Sequence, residues 1–305
     1  MSSIVAITLL VAGVGLVVWG AELLFEGLLS AAARLRVSAF ALTVVVSGFE
    51  LENLAAGIAA NAKGLPGAAA GTFLGGTTFL ALGVAGLAAL LSPLRAELPR
   101  TALLWLLSSP LPLLALAADG ELTRLDGAVL VGWFALALGG MAWSGRSILA
   151  GVDALESKRR PLLRMLAGLG VLTGGGTVLA DGLGRTVSDL GVSQTLLGNT
   201  AIAAGVEAEE LGRVAVPARR GRADVALANV AGTIAHFAAF NAGVIALVRP
   251  LPLDSESLHL HLPVSVGATA LLSAALWLGR GISRATGALL VLLYLGYVAA
   301  AIAVA

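Results

Sequence analysis

Gly48-Phe49-Glu50-Leu51-Glu52-Asn53-Leu54 sets two carboxylates and an amide inside a run apolar enough to span a membrane, and Gly205-Val206-Glu207-Ala208-Glu209-Glu210-Leu211 repeats the arrangement. A carboxylate costs roughly 2.5 to 3.5 kcal/mol at mid-bilayer on insertion scales, so five of them in two matching segments imply a polar cavity with a task. The pair reads as two halves of one cation site. Shifting the chain by 157 residues lays Gly48 on Gly205, Glu50 on Glu207, Glu52 on Glu209, Lys63 on Arg220, Gly64 on Gly221 and Gly75 on Gly232 without a gap. Upstream, Val37-Ser38 matches Val192-Ser193 at a shift two residues shorter. An internal repeat of this length decides the fold more firmly than any local propensity.

Composition agrees. The 305 residues are 58% apolar and 12% charged, with a mean hydropathy of +0.95, which places the chain outside the soluble globular class. With no cysteine, thiolate metal sites and cysteine nucleophiles are excluded together. The first apolar run has no basic leader and continues for a full span, so no cleavable signal is expected.

Spans need about 20 apolar residues, and loops fall where charge, Pro and Gly gather. On that basis ten helices are expected, at 3–29, 38–61, 67–92, 101–117, 126–145, 162–184, 192–212, 224–248, 262–279 and 284–304. The expected architecture is an all-α polytopic membrane protein built as two inverted five-helix repeats, 1–150 and 162–305, joined by a cytoplasmic loop at 151–161. Of the 19 basic residues, only Lys63, Arg124, Arg185 and Arg249 fall on the second side. Cytoplasmic loops hold the excess, so both termini are expected to be extracytoplasmic, in the cell inner (plasma) membrane. Five helices per copy invert one copy relative to the other, a construction common among secondary transporters.

On an intact helix Glu50 and Asn53 share a face while Glu52 points elsewhere, and the same geometry couples Glu207 with Glu210 and leaves Glu209 aside. Glu50, Asn53, Glu207 and Glu210 are therefore the expected metal ligands, with Glu52 and Glu209 secondary. Arg213 stands three and four residues after Glu210 and Glu209, where an ion pair neutralises one of them. Thr77, Thr233 and His236 in the third and eighth spans are further secondary candidates, because hydroxyl oxygens suit hard cations. A lone His in a span is more often a hydrogen-bonded structural residue. Small-xxx-small spacing at Gly71 to Gly75 and Ala228 to Gly232 favours close helix approach. Glu22 and Glu26, one turn apart, read either as an interfacial pair near Arg34 or Arg36 or as a vestibule that gathers cations. Asp254, Glu256, His259 and His261 read as a solvated outer loop, with a weak surface metal site as the sharper alternative.

At these residues the chain resembles the cation/Ca²⁺ exchanger superfamily, whose inverted repeats each carry a Gly-Thr-Ser-x-Pro-Glu motif and a later Gly-Ser-Asn motif. Gly48 to Asn53 and Gly205 to Glu210 stand at the first motif, Gly75-Gly76-Thr77 and Gly232-Thr233-Ile234 at the second, and Gly20-Ala21-Glu22-Leu23-Leu24 is similar to the family's first helix. The family's calcium-binding Glu is kept as Glu210 and replaced by Asn53. Its sodium-holding Ser becomes Glu50 and Glu207, and its Pro becomes Glu52 and Glu209. The resemblance implies alternating access as the first and sixth helices slide against the rest.

The expected function is a secondary active antiporter that takes a divalent, Ca²⁺-like cation in exchange for H⁺ or Na⁺. Protons are favoured because crowded carboxylates hold them. The alternative is a non-transporting divergent membrane protein that keeps the exchanger fold as a binding or regulatory module. No enzyme activity is expected, since no nucleophile or metalloprotease spacing is present. The expected partners are inorganic cations and the lipid bilayer, with no cofactor and no nucleic acid.

Overall fold

The computed structural model describes residues 2–47, 51–148, 160–188, 208–279 and 281–304. Its helices are α1 Ser2–Leu35, α2 Ala39–Val46 and α3 Leu51–Ala62, then α4 Pro66–Leu91, α5 Arg100–Asp119 and α6 Arg124–Ser144. They continue as α7 Pro161–Ser188, α8 at 208–219, α9 Ala223–Val248, α10 Ser257–Gly279 and α11 Arg284–Val304. Among the described residues eight helices are long and apolar enough to cross a membrane: α1, α4 to α7 and α9 to α11. The expected second and seventh spans include residues 48–50 and 192–207, which lie outside the described set.

Helix ends differ from the expected ones where charge stood in for a boundary. The first helix, expected at 3–29, runs on through Ala31-Ala32-Ala33-Arg34-Leu35, all good helix formers, with Arg34 in the last turn where a cation suits the helix dipole. It stops at Arg36, whose φ of 54° leaves the helical region. The ninth helix, expected from 262, starts with a π turn at Ser257–His261, so His259 and His261 are helical and not part of a loop.

The chain divides into two compact units. One is Met1–Ala39 with Ala150–Gly221, and the other is Phe40–Leu149 with Arg222–Ala305. Each unit draws on both halves of the sequence.

In the first unit α1 and α7 pack antiparallel along their length, and glycine at every seventh position makes the approach close. A Cβ on Gly13, Gly20 or Gly27 would meet Leu179, Leu172 or Met165 at 2.5 to 2.7 Å, and one on Gly168, Gly175 or Gly182 would meet Leu24, Val17 or Leu10 at 2.4 to 2.8 Å. The two sets are reciprocal at a shift of 155: Gly13 corresponds to Gly168, and its neighbour Leu179 to Leu24, the neighbour of Gly168. Small residues that let backbones touch replace the hydrophobic effect as the source of association inside a bilayer.

In the second unit α4 and α9 are the most buried spans. Both consist of 13 α-helical residues, a six-residue π turn and a seven-residue end. The π turns are Phe79–Val84 and His236–Asn241, 157 residues apart. Each helix follows a glycine in the left-handed region, Gly64 at φ 74° and Gly221 at φ 75°, where a residue without Cβ ends the preceding helix at no steric cost. Two extended contacts close the unit: Glu121–Leu122 pairs antiparallel with Leu251–Pro252, and Leu94 pairs with Ile282. Leu94 and Leu251 are 157 apart and Leu122 and Ile282 are 160 apart, so the two contacts correspond in the two halves with shifts that differ by three residues. A capping box between Thr123 and Asp126 starts α6.

Candidate cation site

Helix α8 carries the described part of the acidic site. Glu209 and Glu210 are 6% and 3% exposed, and Arg213, at 7%, is buried with them. On a helix the residues three and four before an arginine lie on its face, and here the guanidinium takes both. Its Nη1 donates to Glu210 Oε1 at 2.8 Å, and its Nη2 donates to Glu209 Oε1. From α7, the Thr173 hydroxyl lies 3.3 Å from each oxygen of Glu209. Breaking a buried pair by deleting a partner costs roughly 3 to 5 kcal/mol, because it strands the other charge.

The second unit, by itself, holds buried neutral groups. Gly232 lets α9 come so close to α2 that an added Cβ would stand 2.6 Å from the Val44 carbonyl, and this contact brings the Thr233 hydroxyl to donate to the Ser47 carbonyl at 3.2 Å. Thr233 is fully buried, and so is Thr77 on α4. The Thr77 hydroxyl has no hydrogen-bond partner among the described residues, and neither does the Asn241 amide nitrogen at the end of the π turn in α9. Unsatisfied buried polar atoms are rare and call for an explanation such as a ligand or water. His236 opens that π turn. Its Nδ1 lies 3.2 Å from the Gly232 carbonyl, and its ring sits edge-on to Phe134 and Phe240 at 4.4 and 5.6 Å between centroids. This is the environment of a packed, hydrogen-bonded histidine.

Of the expected ligands, Glu210 lies in α8 among the described residues. Asn53 lies in the first turn of α3 and is half-buried. Glu50 and Glu207 lie outside the described residues, and so does the side chain of Glu52. Thr77 and Thr233 share the second unit's buried interior, whereas Glu209 is engaged by Arg213 and Thr173. Three participants were not anticipated: Thr173, Ser47 and Asn241. Thr173 and Ser47 act through tertiary contacts with no sequence spacing to betray them, while Asn241 was a readable signal as a second carboxamide, after Asn229, in an apolar helix.

Glu22 pairs with Arg220 at 2.9 Å and Glu26 with Arg164 at 2.8 Å, which agrees with reading them as an ion-paired set and adds arginines distant in sequence as partners. The hydrogen bond to Glu22, and then its charge, raise the pKa of Arg220 further. The outer polar group is tied up as well. His261 bonds Glu256 at 3.0 Å and the Tyr297 hydroxyl at 2.7 Å, Asp254 accepts from the Ser257 amide, and His259 turns back on the Ser255 carbonyl. Among the described residues no three such side chains converge to hold a metal.

This fold is that of a cation exchanger. The structure of the sodium-calcium exchanger NCX_Mj soaked with zero Na⁺ and Ca²⁺ superposes with a TM-score of 0.84 at 23% identity, covering 97% of this chain and 98% of that one. The same exchanger soaked with 100 mM Na⁺ and 10 mM Sr²⁺ gives 0.82 at 24% identity, over 97% and 98%. The sodium/calcium exchanger protein family matches residues 5–143 and 161–303, and the chain belongs to that family. It is therefore a multi-pass membrane protein of a transporter family. Among its relatives are CaxA of Alkalimonas amylolytica, whose name proposes an antiporter, at 29% identity over 96% of this chain and 98% of that protein, and the inner membrane protein YrbG of Escherichia coli K12, at 28% over 82% of each.

Proposed function

We propose that this chain is a secondary active antiporter that binds a divalent, Ca²⁺-like cation through Glu50, Asn53, Glu207 and Glu210 and exchanges it for protons. The observation that carries the proposal is the pair of buried carboxylates on α8 in a member of an exchanger family. Inside a bilayer such groups are retained for ion or proton handling. Thr77 and Thr233 supply neutral oxygens of the kind a hard cation takes. His236 serves the packing of α9.

The architecture proposed is ten helices in two inverted five-helix repeats, 1–150 and 162–305, with 151–161 between them. Supporting it are the reciprocal glycine contacts of α1 and α7, the π turns 157 residues apart, and a family match that falls once on each half. The excess of basic residues on one side supports a reading with both termini extracytoplasmic, in the cell's inner (plasma) membrane. Alternating exposure arises from movement of the first and sixth helices, which together with residues up to Gly221 form a compact unit of their own.

Protons are the favoured counter-ion because carboxylates at 50 and 207 stand where the resemblance expects neutral sodium ligands. A cation that binds carboxylates displaces their protons. In proteoliposomes, Ca²⁺ uptake is expected to follow an imposed pH gradient with no sodium present. Transport that requires sodium and ignores the gradient overturns proton coupling and leaves the antiporter reading intact. The Arg213 pair favours one rival, a non-transporting protein whose carboxylates are neutralised for stability. Absence of any cation flux or binding would establish it.

A further inference from the structure

We propose that His261 is a proton-binding site that acts as a switch on α4. With hydrogen on both ring nitrogens it leaves the Tyr297 hydroxyl free to donate to Thr78, and on losing one it takes the tyrosine's hydrogen for itself. The switch lies within the second unit and works whichever ion is transported.

A π turn builds the site. Backbone bonds in such a turn reach five residues instead of four, which brings side chains five apart toward one face. Ser257–His261 is a π turn, and it sets His261 over Glu256, whose Oε1 lies 3.0 Å from His261 Nε2. The other ring nitrogen, Nδ1, lies 2.7 Å from the Tyr297 hydroxyl of α11. Tyr297 is bonded in turn to the Thr78 hydroxyl of α4, which donates to the Leu74 carbonyl at 3.0 Å. These contacts run from a carboxylate side chain 34% exposed, through an imidazole 19% exposed, to a hydroxyl that is fully buried. Thr78 adjoins Thr77 and the π turn of α4 at Phe79–Val84.

Counting hydrogens defines the switch. The single Thr78 hydrogen goes to Leu74, so Thr78 accepts from Tyr297, and the phenol then offers His261 only a lone pair. An ionised Glu256 also only accepts. While all of these bonds stand, both ring nitrogens therefore carry hydrogen. A neutral ring has one hydrogen for two partners, and it stays on Nε2, where the acceptor is charged and the bond is stronger. Nδ1 then accepts from Tyr297, whose only hydrogen leaves Thr78. The balance is one proton released to water. Histidine is the side chain whose charge changes across the range of about pH 5 to 8.

Few other charges face this turn. Helix α4 has no ionisable side chain, and α11 brings Tyr294 and Tyr297, with Arg284 at its first residue. On α5, Arg100 stacks over Trp277 and Asp119 accepts from the Glu121 amide. Beside the turn itself, Asp254 accepts from the Ser257 amide and His259 turns to Ser255.

The test is ¹⁵N NMR of the full-length protein labelled at histidine, between about pH 5 and about pH 8. The chain has three histidines, and His261→Gln identifies the signals of position 261. At the acid end both nitrogens are expected to be protonated, and at the alkaline end Nε2 is expected to keep its proton with Nδ1 bare. Transport reads the consequence, with equal pH on both sides of a proteoliposome and radiolabelled Ca²⁺ as the probe. Tyr297→Phe keeps the ring and removes the hydrogen that switches. The ratio of unaltered to Tyr297→Phe exchange rates is expected to change by about threefold or more across the same pH range, the effect of one hydrogen bond made or lost. If the alkaline form holds its proton on Nδ1, Tyr297 has no call to turn and the proposal is overturned. A ratio that stays constant with pH overturns it as well. If the unaltered protein moves no Ca²⁺, the antiporter reading fails on its own and the NMR result alone decides the switch.

Discussion

Residues 51–62 and 208–219 occupy the same place in the two copies and carry different chemistry. The first has Glu52, Asn53 and Ala56 where the second has Glu209, Glu210 and Arg213. The second copy adds an acid and a base together, so the substitutions balance in charge. Elsewhere the copies agree in detail: π turns in α4 and α9, left-handed glycines before each, and glycines at every seventh residue of α1 and α7. Packing is symmetric and the site is not. The lesson is that backbone geometry constrains both copies alike, since each must satisfy its hydrogen bonds inside lipid, whereas the site proposed above asks for only one set of ligands and so leaves the two segments free to differ.

Sidedness breaks or keeps this comparison outright. Single cysteines at Lys63 and Arg220, which correspond in the two copies, are expected to react with a membrane-impermeant thiol reagent from opposite sides of the membrane. Labelling of both from one side removes the inversion and leaves two parallel copies.

Ligand substitutions come next in size. Glu210→Gln is expected to lower divalent affinity by at least about 100-fold, a loss beyond the 10- to 100-fold typical of groups that merely support metal ligands. Asn53→Ala, which removes a neutral oxygen, is expected to cost about tenfold. Glu22→Gln, at an ion pair with Arg220, is expected to leave affinity unchanged. Titration calorimetry with Ca²⁺ checks all three, and equal losses at 53 and 210 would make the two copies equivalent ligand donors. The proton sharpens the same contrast. If one proton leaves per cation bound, apparent affinity falls about tenfold per unit as pH drops from about 8 to about 6, since protonated carboxylates must ionise before they bind.

How much of this was readable varies with the kind of contact. The repeat was legible because Gly64 and Gly221, or Lys63 and Arg220, keep their identity or charge at turns that must sit outside the apolar spans. The Arg213 pair was legible because helical spacing alone puts positions 209, 210 and 213 on one face. Thr173 beside Glu209 was not, because it depends on how α7 packs on α8 within their unit. The π turns were also hidden, since an inserted residue in a helix leaves no composition signal and the flanking sequence stays uniformly apolar. For Glu22 and Glu26 an ion-paired set was legible, but Arg220 and Arg164 as partners were not, since they stand 198 and 138 residues away.

The smallest expected effect tests the symmetric half of the comparison, the glycine-mediated packing of α1 on α7. A Cβ at Gly20 would stand 2.5 Å from the Leu172 backbone nitrogen, and one at Gly175 would stand 2.7 Å from the Val17 backbone nitrogen. These obstacles are backbone atoms on a continuous helix, which cannot swing aside as a side chain does. Gly20→Ala and Gly175→Ala should therefore each force the helices apart, at a cost of about 1 to 3 kcal/mol. Gly15 and Gly170 are also related by the shift of 155, and they have open space where the Cβ would go. There Ala replaces a poor helix former with the best one, and the change should stabilise by up to about 1 kcal/mol. Thermal unfolding in detergent is expected to show matching drops for the first pair and no drop for the second. Unequal drops for Gly20→Ala and Gly175→Ala would mean that the two copies of this helix pair bear load differently, and the symmetry of the packing would then be one of geometry without being one of energy.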